Sequence, residues 1–168
     1  MKNIQKWMMT QRFWGLFIVL GVLLESVALY YQYVLNELPC VLCIHFRLWI
    51  ALLIIIGLIG FFIANHRWGR RLLSLALLLV SGGMLERAYQ LVGTERGFVL
   101  GECSMSLGLP QWLAIDQWIP WLFGVQTTCG YTPIIAWGIT MAECLMAISV
   151  ILLITAVVML LSAFKKVI

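Results

Sequence analysis

The residues with the most chemistry to offer are five cysteines, and they are unevenly spaced. Cys40-Val-Leu-Cys43 sets two thiols three residues apart, Cys103 and Cys129 stand 26 residues apart, and Cys144 is alone. A C-x-x-C pair can bind zinc, cross-link a loop, or exchange electrons as a dithiol/disulfide couple. A zinc site needs four N or S ligands, commonly two such pairs. Neither Cys103 nor Cys129 belongs to a second C-x-x-C. A purely structural disulfide is the second reading. Redox exchange, the third, has local chemistry on its side. Cys43 stands where a long apolar run begins, and the free N–H groups and dipole of a starting helix stabilise a thiolate. Arg47 follows four residues later on the same helical face. A permanent cation one turn inside an apolar span is costly and demands a reason.

Four cysteines allow three pairings. The close pair Cys40–Cys43 is the natural local disulfide, which leaves Cys103–Cys129. Two disulfides in separate segments would form a relay, passing oxidation from one pair to the other through mixed disulfides. Such a relay needs a final two-electron acceptor. The sequence holds no Rossmann glycine fingerprint and no haem motif. A lipid-soluble quinone, which slips sideways between helices, needs neither. Cys144 reads as a packing residue, since cysteine is often buried among apolar side chains.

The elements that must position these residues follow from composition. The chain has 168 residues, 63% hydrophobic and 11% charged, with a mean hydropathy of +1.01. Soluble domains average about 45–50% apolar and about 25% charged residues. A soluble enzyme, a disordered chain and a secreted disulfide scaffold are therefore excluded. Apolar stretches at about 13–35, 44–64, 72–92 and 143–163 each reach the roughly 20 residues a helix needs to cross a bilayer. Lipid offers the backbone no hydrogen bonds, so the spans must be helices. The expectation is an all-α membrane protein, a single four-transmembrane-helix bundle over residues 1–168. The first span exceeds the roughly 7–15 apolar residues of a cleaved signal and reads as a retained anchor.

Lys2, Lys6, Arg12, Arg67, Arg70, Arg71, Lys165 and Lys166 are eight of the eleven basic residues, and all fall on one side of a four-span chain. The positive-inside rule makes that side cytoplasmic, with both termini there. The net charge of +4 thus sets topology, and nucleic acid drops out as a partner. The outer segments are then about 36–43 and 93–142, and they carry four of the five cysteines. Outside a bacterial inner membrane, disulfides persist. The longer segment contains Trp112, Trp118 and Trp121 among leucines and isoleucines between Pro110 and Phe123. It is too short to span, and fits a short interfacial helix that also serves as an apolar lid on the bundle.

Pro39-Cys-Val-Leu-Cys-Ile-His-Phe-Arg47 and Leu109-Pro-Gln-Trp-Leu-Ala-Ile-Asp-Gln-Trp-Ile-Pro120 carry a resemblance over nearly the whole chain. The chain resembles the DsbB family of bacterial inner-membrane disulfide bond formation proteins. The resemblance implies a thiol:quinone oxidoreductase that reoxidises a periplasmic DsbA-like thioredoxin-fold oxidase and reduces ubiquinone or menaquinone. Carried onto this chain, it makes Cys103 the atom the partner attacks and Cys129 the one that passes electrons to Cys40. Cys43 then faces the quinone as a thiolate, with Arg47 beside it. The family often carries an acid just before the arginine, and here that position is Phe46.

Arg47, Glu86, Arg87, Gln90 and Glu143 all fall within about two turns of the outer boundary. They are expected to form a polar patch bordering the quinone headgroup, with Gln90 and Met141 as further cofactor contacts. The plainer alternative is structural pairing, such as Arg87 with Glu143. Glu25 lies near mid-span, where an ion is costliest, neutral or bonded to another helix. Ser81, Gly82 and Gly83 suit close helix packing. Two rival classes remain: a non-enzymatic scaffold with inert disulfides, and a zinc-binding membrane protein.

Overall fold

In the computed structural model, the described residues are Trp7, 10–63, 66–99 and 106–164. Four long helices dominate: α1 Gln11–Tyr33, α2 Val41–Ile63, α3 Arg67–Glu95 and, after the long connection, α6 Met141–Phe164. All four are long and apolar enough to cross a membrane. The protein is therefore an all-α, four-span membrane protein. α1 packs on α2, α2 on α3, and α3 on α6. Leu16, Leu23, Leu58, Leu79, Ile151 and Leu161 are exposed along the outer faces, as side chains that meet lipid must be.

The helix ends depart from the apolar boundaries for local reasons. α3 runs about a turn beyond its apolar stretch at each end, because backbone hydrogen bonding continues where hydrophobicity stops. α2 begins three residues earlier than its apolar run, directly after Cys40. There the Cys43 amide donates to Cys40 Sγ at 3.4 Å and the Ile44 amide to the Cys40 carbonyl at 3.0 Å. Cys40 thus fills the N-cap role, meeting one of the first-turn N–H groups that a helix leaves unpaired. α1 ends through Tyr30, whose carbonyl accepts from Val34 and Leu35. Asn36, at φ 57°, then turns the chain in the left-handed region that asparagine tolerates.

Close packing depends on glycine. A Cβ at Gly60 would collide with the Trp14 ring, and one at Gly83 with the Trp49 ring, whereas Gly82 faces open space. Of the expected Gly82-Gly83 pair, only the second lets helices approach. Trp14, Leu53, Leu77, Met84 and Ala156 are fully buried in the main core. A second apolar cluster lies at the cysteine end, where Cys40, Ile44, Leu91 and Ala142 meet Leu107 and Phe123 of the long connection.

That connection does not form one short helix. It folds as a 3-10 turn at Gln111–Leu113 and two single turns, α4 Ile115–Trp118 and α5 Pro120–Phe123. Proline bars its predecessor from the helical region, and Ile119 accordingly sits at φ −133°, ψ 63°. Ile115, Ile119 and Leu122 pack inward on the second cluster, while Trp112, Trp118 and Trp121 are exposed. The segment is a lid, anchored where Tyr33 Oη donates to the Trp121 carbonyl at 2.5 Å.

A hairpin unsignalled by the apolar pattern precedes the last span. β1 Ile134–Ala136 pairs antiparallel with β2 Ile139–Thr140. Trp137 and Gly138 both have positive φ, 47° and 80°, as a two-residue primed turn requires. β2 runs straight into α6 through a capping box. The Glu143 amide donates to Thr140 Oγ1 at 3.4 Å, and the Thr140 amide donates to Glu143 Oε2 at 3.1 Å.

Candidate functional site

The two loops at the cysteine end are stitched together. The Pro39 carbonyl accepts from the amides of Gln126 and Thr127 at 3.0 and 3.3 Å, and Cys40 forms an isolated parallel bridge with Thr127. This carries Cys129, two residues on, to Cys40, and the two thiols are hydrogen-bonded. Cys40 and Cys43 Sγ lie 2.9 Å apart. Three thiols from two distant segments are thus in mutual reach around the start of α2. Cys103 lies outside the described residues.

Cys40 is 1% exposed. Its bond with Cys129 draws the thiol toward ionisation. The bond to Cys43, burial and the Cys43 charge outweigh that pull and push it up to about 12. Cys40 therefore keeps its proton at neutral pH, whereas Cys43 lies in the first turn of α2, beside a cavity.

That cavity, of about 290 Å³, opens between α1, α2 and α6. Cys43 and Arg47 line it from α2, Ala28 and Tyr31 from α1, and Met141 and Cys144 from α6. Arg47 is buried, 4% exposed. Its Nη1 donates to Gln32 Oε1 at 2.6 Å and to the Leu122 carbonyl at 3.0 Å, and its Nη2 to the Ala28 carbonyl at 3.1 Å. Nε lies 4.0 Å from Glu25 Oε1. One guanidinium thus joins α2 to α1 and to the lid. Pairing is what makes a buried cation tolerable.

The expected polar patch divides. Arg47, Cys43 and Met141 share the cavity, and Gln90 does not. Gln90 accepts from Arg87 Nη1 at 3.0 Å and donates to Glu86 Oε1 at 3.1 Å, which makes a ladder along α3. Glu143 pairs with Arg96, not with Arg87, because the hairpin and capping box hold it at the loop. Glu95 joins this loop cluster by accepting from Thr132 and Thr140 at 2.9 and 3.1 Å. Cys144, expected as plain packing, is part of the cavity wall. Among the described residues, no group of three or more His, Cys, Asp or Glu is arranged to hold a metal.

Gln32 is the site residue that sequence reasoning missed. It stands seven residues after Glu25, on the same face of α1. Two lone polar residues at that spacing in an apolar span were the available signal.

Four spanning helices that hold a C-x-x-C at a helix start, with a third thiol delivered from another loop, define a membrane-embedded thiol–disulfide protein. The family model for disulfide bond formation protein DsbB matches residues 10–159, and the chain belongs to that family. Disulfide bond formation protein B 2 of Pseudomonas aeruginosa is 32% identical over 120 residues, 70% of this chain and 71% of that protein. The corresponding protein of Aeromonas salmonicida is 35% identical over 121 residues, 69% and 68% of the two chains. That of Shewanella amazonensis is 33% identical over 142 residues, 83% and 84% of the two chains. Family membership makes this protein a disulfide-generating membrane oxidoreductase.

Proposed function

We propose that the protein reoxidises a DsbA-like thioredoxin-fold dithiol on the outer side of the bacterial inner membrane and passes the electrons to a membrane quinone. The observation that carries the reading is the meeting of Cys129 with Cys40 while Cys43 lines an apolar cavity beside Arg47. In the relay, a partner thiolate attacks Cys103 of a Cys103–Cys129 disulfide and releases Cys129 as a thiolate. Cys129 attacks Cys40 of the Cys40–Cys43 disulfide, and Cys43 leaves as a thiolate with the bonding electron pair. The second partner thiolate then resolves its mixed disulfide with Cys103. The Cys103 thiolate reforms the Cys103–Cys129 bond and frees Cys40. Two electrons have moved from the partner to the Cys40–Cys43 pair, and each step exchanges one S–S bond for another.

The cavity suits ubiquinone or menaquinone. It is apolar along α1 and α6, with a thiol and a guanidinium at its polar end, the pattern of a small-molecule site. A bound quinone supplies a two-electron acceptor. Arg47, one turn along α2 from Cys43, offers a charged donor to a carbonyl oxygen, and Met141 contributes an adaptable apolar wall.

The test is purified protein with a reduced DsbA-like partner and a soluble quinone, followed by quinone absorbance. Thiol-dependent quinone loss is expected, abolished in Cys40→Ala and Cys129→Ala. Arg47→Ala should raise the apparent quinone KM about tenfold, the scale of one charge-assisted hydrogen bond. No quinone loss with unchanged thiol counts would instead support a scaffold with structural disulfides.

A further inference from the structure

A second cavity, of about 700 Å³, lies on the other side of α2, between that helix, α3 and the lid. Its walls are apolar, with Leu52 and Ile55 from α2 and Leu109, Ile115 and Trp118 from the lid. Leu52 and Ile55 are exposed, so the cavity is open toward the bilayer. Two polar side chains line it, His45 and Arg87.

Both have unused hydrogen-bonding capacity of a definite kind. Among the described residues, Arg87 makes one hydrogen bond, to Gln90, and no ion pair. Glu86, its nearest carboxylate in sequence, is engaged by the Gln90 amide and does not line the cavity. His45 Nε2 lies 2.9 Å from the Leu107 carbonyl. A carbonyl can only accept, so Nε2 carries the proton and Nδ1 of the neutral ring is an acceptor. Nδ1 is buried and without a partner among the described residues. The cavity thus offers a cationic donor and a neutral acceptor above an apolar trough that faces lipid.

We propose that this cavity binds one bilayer phospholipid, with its phosphate on Arg87, a headgroup hydroxyl or ammonium donating to His45 Nδ1, and an acyl chain along Leu52 and Ile55. Phosphate is the acceptor that best matches a guanidinium with no ion pair among the described residues. The lipid would wedge the lid against α2 on the face opposite Cys43, tying lid position to the surrounding membrane.

Native mass spectrometry of the full chain, delipidated in detergent, tests this with three additions. These are phosphatidylglycerol, diacylglycerol with the same acyl chains, and inorganic phosphate. Phosphatidylglycerol should be retained at one per chain, and the other two should not. Arg87→Gln should weaken retention about tenfold, as loss of a charge-assisted bond implies. Leu52→Trp, at a position 43% exposed, should block the trough with Arg87 intact and keep the test open should Arg87→Gln fail to fold. Retention of diacylglycerol equal to that of phosphatidylglycerol would overturn the proposal. So would unchanged retention in both variants, or displacement of the lipid by a soluble quinone, which would make this a second quinone pocket. None of these outcomes touches quinone reduction through Cys43, which is measured separately.

Discussion

Cys40 and Cys43 are three residues apart in sequence, yet their surroundings differ sharply. Cys40 is enclosed by the stitched loops, with its thiol pushed up to about 12. In the reduced protein at pH 8, iodoacetamide should therefore modify Cys40 last. Its rate should climb about tenfold per pH unit toward pH 12, because only the thiolate reacts. Peptide mapping after timed alkylation checks this, and a Cys40 that reacts as fast as an ordinary thiol at pH 8 contradicts the burial described above. Gln32 holds Arg47 at 2.6 Å. Gln32→Leu should cost about 1–3 kcal/mol, the range for an unsatisfied buried donor, and raise the quinone KM more than it lowers kcat. A thermal melt and steady-state kinetics separate the two effects. The cysteines and Arg47 were legible in sequence because their chemistry is scarce in an apolar chain. Arg47's partners were not, since the Leu122 carbonyl comes from 75 residues away and carries no side-chain signature.

At the scale of elements, apolar length found all four spans, and local chemistry set their ends. α2 starts three residues ahead of its apolar run, because Cys40 caps it with a sulfur in place of the usual hydroxyl or carboxylate. The hairpin was missed because Trp137-Gly138 is not among the asparagine- or aspartate-glycine turns that announce such a connection. The expected short interfacial helix of the lid is instead three separate turns, because Pro120 bars Ile119 from the helical region. The Thr140–Glu143 capping box starts α6 and sets the height of Met141 and Cys144 in the cavity. Thr140→Ala should destabilise the fold by about 1 kcal/mol, the usual worth of an N-cap. It should also loosen the Glu95 cluster, since Thr140 Oγ1 donates to Glu95 as well. Denaturant unfolding and amide exchange across residues 139–145 measure both.

Across the whole molecule, Arg67, Arg70 and Arg71 open α3 at the end opposite the cysteines. That asymmetry predicts termini in the cytoplasm and cysteines outside. Reporter fusions at the C-terminus and within residues 125–130 should give opposite signals. Adding three lysines to the 36–39 turn should weaken that bias, since short basic loops resist translocation.

The sulfur that caps α2 is the same atom that lies against Cys129. Each change of bonding at Cys40 is therefore transmitted to the hydrogen bond donated by the Cys43 backbone amide. That amide is a built-in gauge of oxidation state. Its nitrogen-15 resonance should move as the helix end alternately gains and loses its acceptor, so turnover can be followed from the backbone without a label on any thiol.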